Sequence, residues 1–465
     1  MKGLMWLGWF LAASAAPLPD SDRRDALTGL GPASRDASAP IATPAALEFF
    51  VVNTSDDVDD GSCDLAHCSL REAIHAANAS PGPDDIEIVQ NVVPLSPLPH
   101  IVDPVNIFGS AVIGSAAGPT DGLTLADGSG SSIIQFVDIR GFEGSGIRIL
   151  SDDNFVLLLT ISDNGSNGIT IDGGANNTIG FATLPVTLAG NGGSGVAVVG
   201  HQATGNTVQV NIFQQNAFGI DVASPGPEPN DVADVDTGAN RRQNFPVITA
   251  YDPLGLTPTT VTLDSLPQTA FEIDFYTAPA CHPSTYGEGA HLTTVSATTD
   301  AGGHAEVNLL LTSANPALTA TATDPDGNTS EFSRCFCNGP DGDSDDRPDC
   351  SDCAPFDRTV HGPPLRVQNL RSDGISMIWD SDAPNSGSGT EYDVVRGALS
   401  DLPVGAPGAD EICLGTTSDA QLLLGQDPPP GTGYFFVVRG KNSCGASGYG
   451  TDSFENPRVT NACPP

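Results

Sequence analysis

Between Asp121 and Val222 one short phrase recurs five times: Gly122-Leu-Thr-Leu, Gly146-Ile-Arg-Ile, Gly168-Ile-Thr-Ile, Gly195-Val-Ala-Val and Gly219-Ile-Asp-Val. Its glycines stand 24, 22, 27 and 24 residues apart. A repeat of this length, carried by short β-branched runs, cannot bury its own apolar face; it must stack on its neighbours. The expected fold class is all-β, organised as a right-handed parallel β-helix with one turn per repeat.

The register is explicit. Alternate residues of a strand face the same way. The inward columns are then Leu123, Ile147, Ile169, Val196, Ile220 and Leu125, Ile149, Ile171, Val198, Val222, every one aliphatic. The glycine before each strand is expected to turn a tight corner at φ values that other residues avoid. Further strands follow Asn154, Asn177 and Asn206, and others end at Asn164, Asn191 and Asn216. Turns stack about 4.8 Å apart, so equivalent Asn amides can form ladders along the axis. Asp in those places would repel its own copy by roughly 1 kcal/mol per step even in water.

That neutrality stands out in a chain of 57 acidic and 18 basic residues, with a net charge of −39 and only two lysines, Lys2 and Lys441. Such a charge excludes a general nucleic-acid or anionic-membrane partner and favours divalent cations, basic partners or plain solubility. Met1-Lys2, the apolar run Leu4 to Ala13 and Ala13-Ser-Ala15 have the three regions of a secretory signal peptide, assigned to residues 1–16. Residues 17–46, rich in Ala, Pro, Ser and Asp, are expected to be a disordered spacer. Export to the cell surface or beyond makes the ten cysteines disulfide partners.

Residues 47–104 should cap the solenoid. Cys63 and Cys68 can close a small loop, and Ser69-Leu-Arg-Glu72 is a capping box opening a helix whose stripe is Leu70, Ala73, Ile74 and Ala77. The helix would cover the exposed first turn. Cys68-Ser-Leu-Arg-Glu-Ala73, with Phe50-Val-Val-Asn-Thr before and Ala76-Ala-Asn-Ala79 behind, resembles the bacterial CSLREA domain over about forty residues. The resemblance implies an exported bacterial protein with β-helix repeats behind the cap, and implies no particular chemistry.

The β-helix is assigned to 105–245, closed by the acidic loop Asn230 to Asn240, with Arg241 and Arg242 expected to pair with that loop. Residues 246–335 read as an Ig-like β-sandwich stapled by Cys281 and Cys335. Residues 336–363 form a linker dense in Asp and Cys. Residues 364–465 resemble a fibronectin type III module in Ile375-Ser-Met-Ile-Trp379, Glu391-Tyr-Asp-Val-Val-Arg396 and Tyr434-Phe-Phe-Val-Val-Arg439. The resemblance implies a core role for Trp379 and a corner role for Tyr434. Cys413, Cys444 and Cys463 are odd in number, so one of them pairs into the linker or stays free.

Two acidic stretches are candidates for chemistry. Asp127, Asp152 with Asp153, and Asp172 fall on successive turns at one corner, near Arg148. Stacked carboxylates raise one another's pKa or recruit a cation. Polysaccharide lyases of similar fold use a calcium with a basic proton acceptor, a role only Arg148 is placed to fill; ordinary solvated turn residues are the competing reading. In the linker, Asp341, Asp343, Asp345, Asp349 and Asp352 resemble the alternating-Asp calcium loops of thrombospondin type 3 repeats. Calcium binding and a merely solvated acidic linker both stand as readings there. The leading functional expectation is a non-catalytic secreted or surface protein for adhesion or glycan binding. Its partners would be extracellular polysaccharide or surface proteins, with no nucleic acid and no membrane insertion. The alternative is a polysaccharide lyase or glycoside hydrolase working at the Asp127–Asp172 corner.

Overall fold

The computed structural model describes residues 47–223, 226–405, 410–425, 428–450, 458–460 and 462–463; the segments read as signal peptide and spacer lie outside them. The chain builds a parallel β-solenoid of about six turns with three flanks. The first flank stacks Phe49–Val52, Asp84–Ile88, Val105–Gly109, Ile133–Gln135, Phe155–Leu157, Thr178–Ile179 and Thr207–Val208, all parallel. The second runs from Val112–Ile113 through Asp138–Arg140, Thr160–Ser162 and Thr187–Ala189 to Ile212–Gln214. The repeated phrase forms the third: Leu123–Leu125, Ile147–Ile149, Ile169–Asp172, Ser194–Val199 and Phe218–Val222. Its pairing register places Leu123, Ile147, Ile169, Val196 and Ile220 in one buried column. Each such side chain contributes about 1.5–3 kcal/mol by leaving water.

The repeat glycines work differently from the expectation. None of the five has a left-handed φ. They are required because the core leaves no room for a Cβ: at Gly146 it would lie 2.5 Å from Ile161, at Gly195 2.7 Å from Phe213, and at Gly219 2.4 Å from Phe332. The left-handed corners fall instead on other glycines, such as Gly128, Gly141 and Gly180, and on non-glycine residues such as Ser131, Asp153, Asn176, Phe136 and Leu158, of which Ser131, Asp153 and Asn176 have short polar side chains that tolerate this region.

Two buried side-chain ladders run along the axis. In one, the backbone N–H of Ser132 donates to Asn154 Oδ1, that of Asn154 to Asn177, that of Asn177 to Asn206 and that of Asn206 to Asn240, at 3.0 Å each. The other runs from Phe142 N–H through Asn164 and Asn191 to Asn216. In every step the donor belongs to the earlier turn and the acceptor to the next.

The first turn is covered by a helix, Leu70–Ala79, whose Leu70, Ala73, Ile74 and Ala77 join the solenoid core with Val52, Ile86 and Ile88. Ser69 and Glu72 form the expected capping box, and Cys63 is bonded to Cys68. The last turn is closed by more than the Asn230–Asn240 loop. The second flank continues, now antiparallel, through Phe213 against Gly289 into a four-strand extension: Gly289–Thr298, Ala270–Ala278, Ala317–Thr323 and Phe336–Cys337. Phe332 and Tyr276 from this region stand edge-on to Phe213 at 5.1 and 6.2 Å. A three-stranded sheet, Val247–Ala250, Thr259–Asp264 and His304–Leu309, packs on the extension around Ile248, Val261, Phe275 and Leu318. Arg241 pairs with Asp326 in a turn of this sandwich at 2.9 Å and not with the acidic loop before it, whereas the charge of Arg242 acts on Asp236 of that loop.

The C-terminal part has two further antiparallel sheets, of three and four strands. Trp379 and Tyr392 meet in its core at 5.4 Å. Tyr434 is only half-buried and lies under Arg396 at 4.2 Å. The buried tyrosine that anchors backbone is Tyr392, whose hydroxyl accepts from Asp382 N–H at 2.6 Å. Beyond Cys63–Cys68 the disulfides are Cys281–Cys335, Cys337–Cys350, Cys353–Cys444 and Cys413–Cys463. Cys444 thus reaches into the linker. Five disulfides fit an extracellular protein, and no described helix is long and apolar enough to cross a membrane.

Candidate functional site

The outward column of the third flank is Thr124, Arg148, Thr170, Ala197 and Asp221. Arg148 lies between two carboxylates, with Nε 2.8 Å from Asp121 and Nη1 2.8 Å from Asp172. A guanidinium held in two ion pairs keeps its proton, so it is poorly suited to accept one. Asp152 accepts from Ala175 N–H at 2.7 Å, Asp153 occupies a left-handed corner, and Asp127 is exposed. The structure therefore links Arg148 directly both to Asp172 and to the unanticipated Asp121, while Asp152 and Asp153 serve the turn.

Among the described residues, three His/Asp/Glu groups bring ligand atoms within 4.8 Å of one another, and all lie elsewhere. In Asp60, His67 and Glu72, the Glu72 carboxylate is used by the backbone, accepting from Asp60 and Ser69 at 2.6 and 2.8 Å. In Asp231, Asp234 and Asp236, the buried Asp234 accepts from Asn244 N–H and the Ser265 hydroxyl, and burial pushes it up to about 6. The third is Asp341, Asp343 and Asp345 of the linker. There Asp341 accepts from Ser344, Asp345 and Asp346 N–H, and Asp349 from Gly342 N–H at 2.6 Å. Asp352, 7% exposed, accepts from Ala354 N–H with one oxygen only.

Carboxylates at the closed end have a different task. Burial pushes Glu331 up to about 8 and Asp221 to about 6. A pair split in this way can mark acid–base catalysis. Yet Glu331 accepts from Val222 and Glu228 N–H at 2.9 and 2.7 Å, and the cavity beside it, about 10 Å³, holds no more than a water. Glu288 likewise accepts both the backbone and side-chain N–H of Asn216, at 3.1 and 2.7 Å. These carboxylates satisfy the last turn's bare donors.

The first flank offers the richest open surface. Its outward register runs Phe49, Asp85, Asn106, Ile133, Phe155, Thr178 and Thr207. Phe49 and Phe155 are 53% and 36% exposed, Phe108 lies 6.5 Å from Phe49, and Phe136 and Phe181 stand on the bordering corner at 54% and 49%. Between them Asn106 bonds Asp85, and Gln135 bonds Asn106, both at 2.9 Å. The outward column of the phrase-bearing strand, whose parity the repeated phrase makes plain, contains no aromatic residue. The same parity count applied to the strand after Asn154 would have placed Phe155 outward.

No family model matches the chain, and no curated protein matches it. Among solved structures it is similar to a tetra-tandem repeat from the extending region of a large adhesion protein, at 12% identity over 43% of this chain and 46% of that one, with a TM-score of 0.15. The chain thus spans about half the length of that structure. It is also similar to the enzymatically active domain of tailspike protein 2 of bacteriophage CBA120, at 10% identity over 61% and 68% of the two chains, with a TM-score of 0.17.

Proposed function

We propose that the chain is an exported binding protein for adhesion or glycan recognition, and that the first flank of the solenoid is its recognition surface. The observation that carries this reading is an open face on which the exposed rings of Phe49, Phe155, Phe136 and Phe181 stand alongside Asp85, Asn106 and Gln135, on strands stacked about 4.8 Å apart. Flat apolar rings with polar groups between them are what a chain of sugar rings needs, one face to stack on and hydroxyl partners beside it. Such a surface fits an extended ligand better than a compact one. In this reading residues 47–104 are a CSLREA-like cap, and residues 364–465 a fibronectin type III-like module holding the solenoid away from its attachment.

The test is to incubate the protein with a panel of acidic and neutral polysaccharides, scoring retention and new chain ends in the same samples. Retention that falls in Phe155→Ala and Phe108→Ala, with Asp152→Ala and Asp172→Ala unchanged, is the expected result. New unsaturated or reducing ends that vanish in Asp172→Ala would replace binding with catalysis at the acidic corner.

A further inference from the structure

The linker contains carboxylate oxygens with no donor. Both oxygens of Asp343, one of Asp345 and one of Asp352 are shielded from solvent and make no hydrogen bond. The Asp345 side chain is 3% exposed, with His361 Nδ1 3.1 Å from it. Burying a carboxylate oxygen unmatched is costly, and the oxygens of Asp343 and Asp352, with no donor, call for a common partner. Asp352 is nine-tenths buried, with one oxygen on Ala354 N–H and the other without a partner.

We propose that Asp343, Asp345 and Asp352, walled by Asp341, hold a calcium ion. The donors are all hard oxygens, which excludes the nitrogen and sulfur preference of zinc. Ligand atoms of Asp341, Asp343 and Asp345 converge within 4.8 Å of one another, close enough to share one ion, and an all-carboxylate set on a loop suits calcium better than magnesium, which keeps most of its waters. Asp349 does not ligate; it holds Gly342 and so shapes the loop. The placement assigns the ion a task. The Cys337–Cys350 bond closes the loop against the sandwich, and Cys353–Cys444 ties the next residues to the C-terminal sheets. Asp352 stands between these two cross-links, so the ion joins what each fixes separately. This site is independent of the first-flank surface.

The test uses the full mature protein. Calorimetric titration with calcium should give a single-site isotherm in the sub-millimolar range expected of extracellular modules, on the order of 10⁻⁴ M. Magnesium should bind more weakly. The double variant Asp343→Asn, Asp352→Asn should lose the calcium isotherm, whereas Asp231→Asn should keep it. Arg358, exposed and bonded to the Ser344 carbonyl at 3.0 Å, gives a readout that needs no variant: calcium should slow tryptic cleavage after it by about tenfold or more. Absence of an isotherm at millimolar calcium, an isotherm unchanged in the double variant, or cleavage indifferent to calcium would each overturn the proposal.

Discussion

The two ends of the solenoid are sealed by opposite means. At the first turn a helix lays an apolar stripe over apolar side chains, and its polar devices, the Ser69–Glu72 box, Arg71 on Asp57 and Asn78 on Val102 N–H, flank that stripe. At the last turn an aromatic lid is joined by a set of acceptors: Glu288 for Asn216, Glu331 for Val222, Asn240 for Asn206, Thr329 for Val208 and Asn328 for Gly205. The ladders explain the difference. In the two Asn ladders the N–H groups donate forward, so each ladder ends at the last turn on a donor. A buried N–H has one way to be satisfied and is the costlier group to strand. The ladders therefore need acceptors at the C-terminal end, which Asn240 and Glu288 supply.

Several substitutions and one titration sharpen this contrast. Phe332→Ala, which removes the lid over Gly219 and Phe213, should lower stability by about 4 kcal/mol in denaturant unfolding. A loss below about 1 kcal/mol would mean that the lid is dispensable. The second test is pH. Glu331 rises from 4.5 in the unfolded chain to about 8 in the fold, so its contribution is complete below pH 4.5 and is lost as pH climbs through 8. At 1.36 kcal/mol per unit that is at most about 5 kcal/mol, and residual contact with solvent brings it to about 3 kcal/mol. Glu72 behaves oppositely: burial alone would raise it, but the N–H groups of Ser69 and Asp60 outweigh burial and hold it low. Its contribution is present above pH 4.5 and is lost as pH falls through the lowered folded value. Hydrogen exchange should accordingly show the C-terminal seal loosening toward alkali and the helix toward acid. Glu331→Gln should flatten the alkaline limb, and both ends moving together would break the comparison.

Smaller effects follow. Asn216→Ala strips Glu288 of its side-chain donor, leaving the backbone N–H, and Asn191 of its acceptor, and should cost about 2 kcal/mol. Ser69→Ala at the other end should cost about 1 kcal/mol, read as a shift in the urea midpoint at unchanged slope.

The sequence was most informative where the fold repeats. The inward columns and Asn154, Asn177 and Asn206 could be read directly because identical surroundings at each turn demand the same residue. Unique contacts were out of reach: Glu331 and Glu288 meet the last turn from 109 and 72 residues away, and no local pattern marks them. The glycines were located correctly and explained wrongly, since their constraint is a neighbour's side chain and not their own backbone. In the linker, spacing drew attention to five aspartates, but the geometry separates Asp343, Asp345 and Asp352, with unmatched oxygens, from Asp341 and Asp349, whose carboxylates brace the loop.

The pairing of Phe213 with Gly289 makes the second flank and the sandwich a single nine-stranded plate. Its strands lie side by side across the junction, and the Cys353–Cys444 bond lies beyond it. A load passed between solenoid and C-terminal modules meets a hydrogen-bonded sheet and covalent cross-links in series instead of a flexible tether. Under the proposed binding role, the seal of the solenoid is also its mechanical mount.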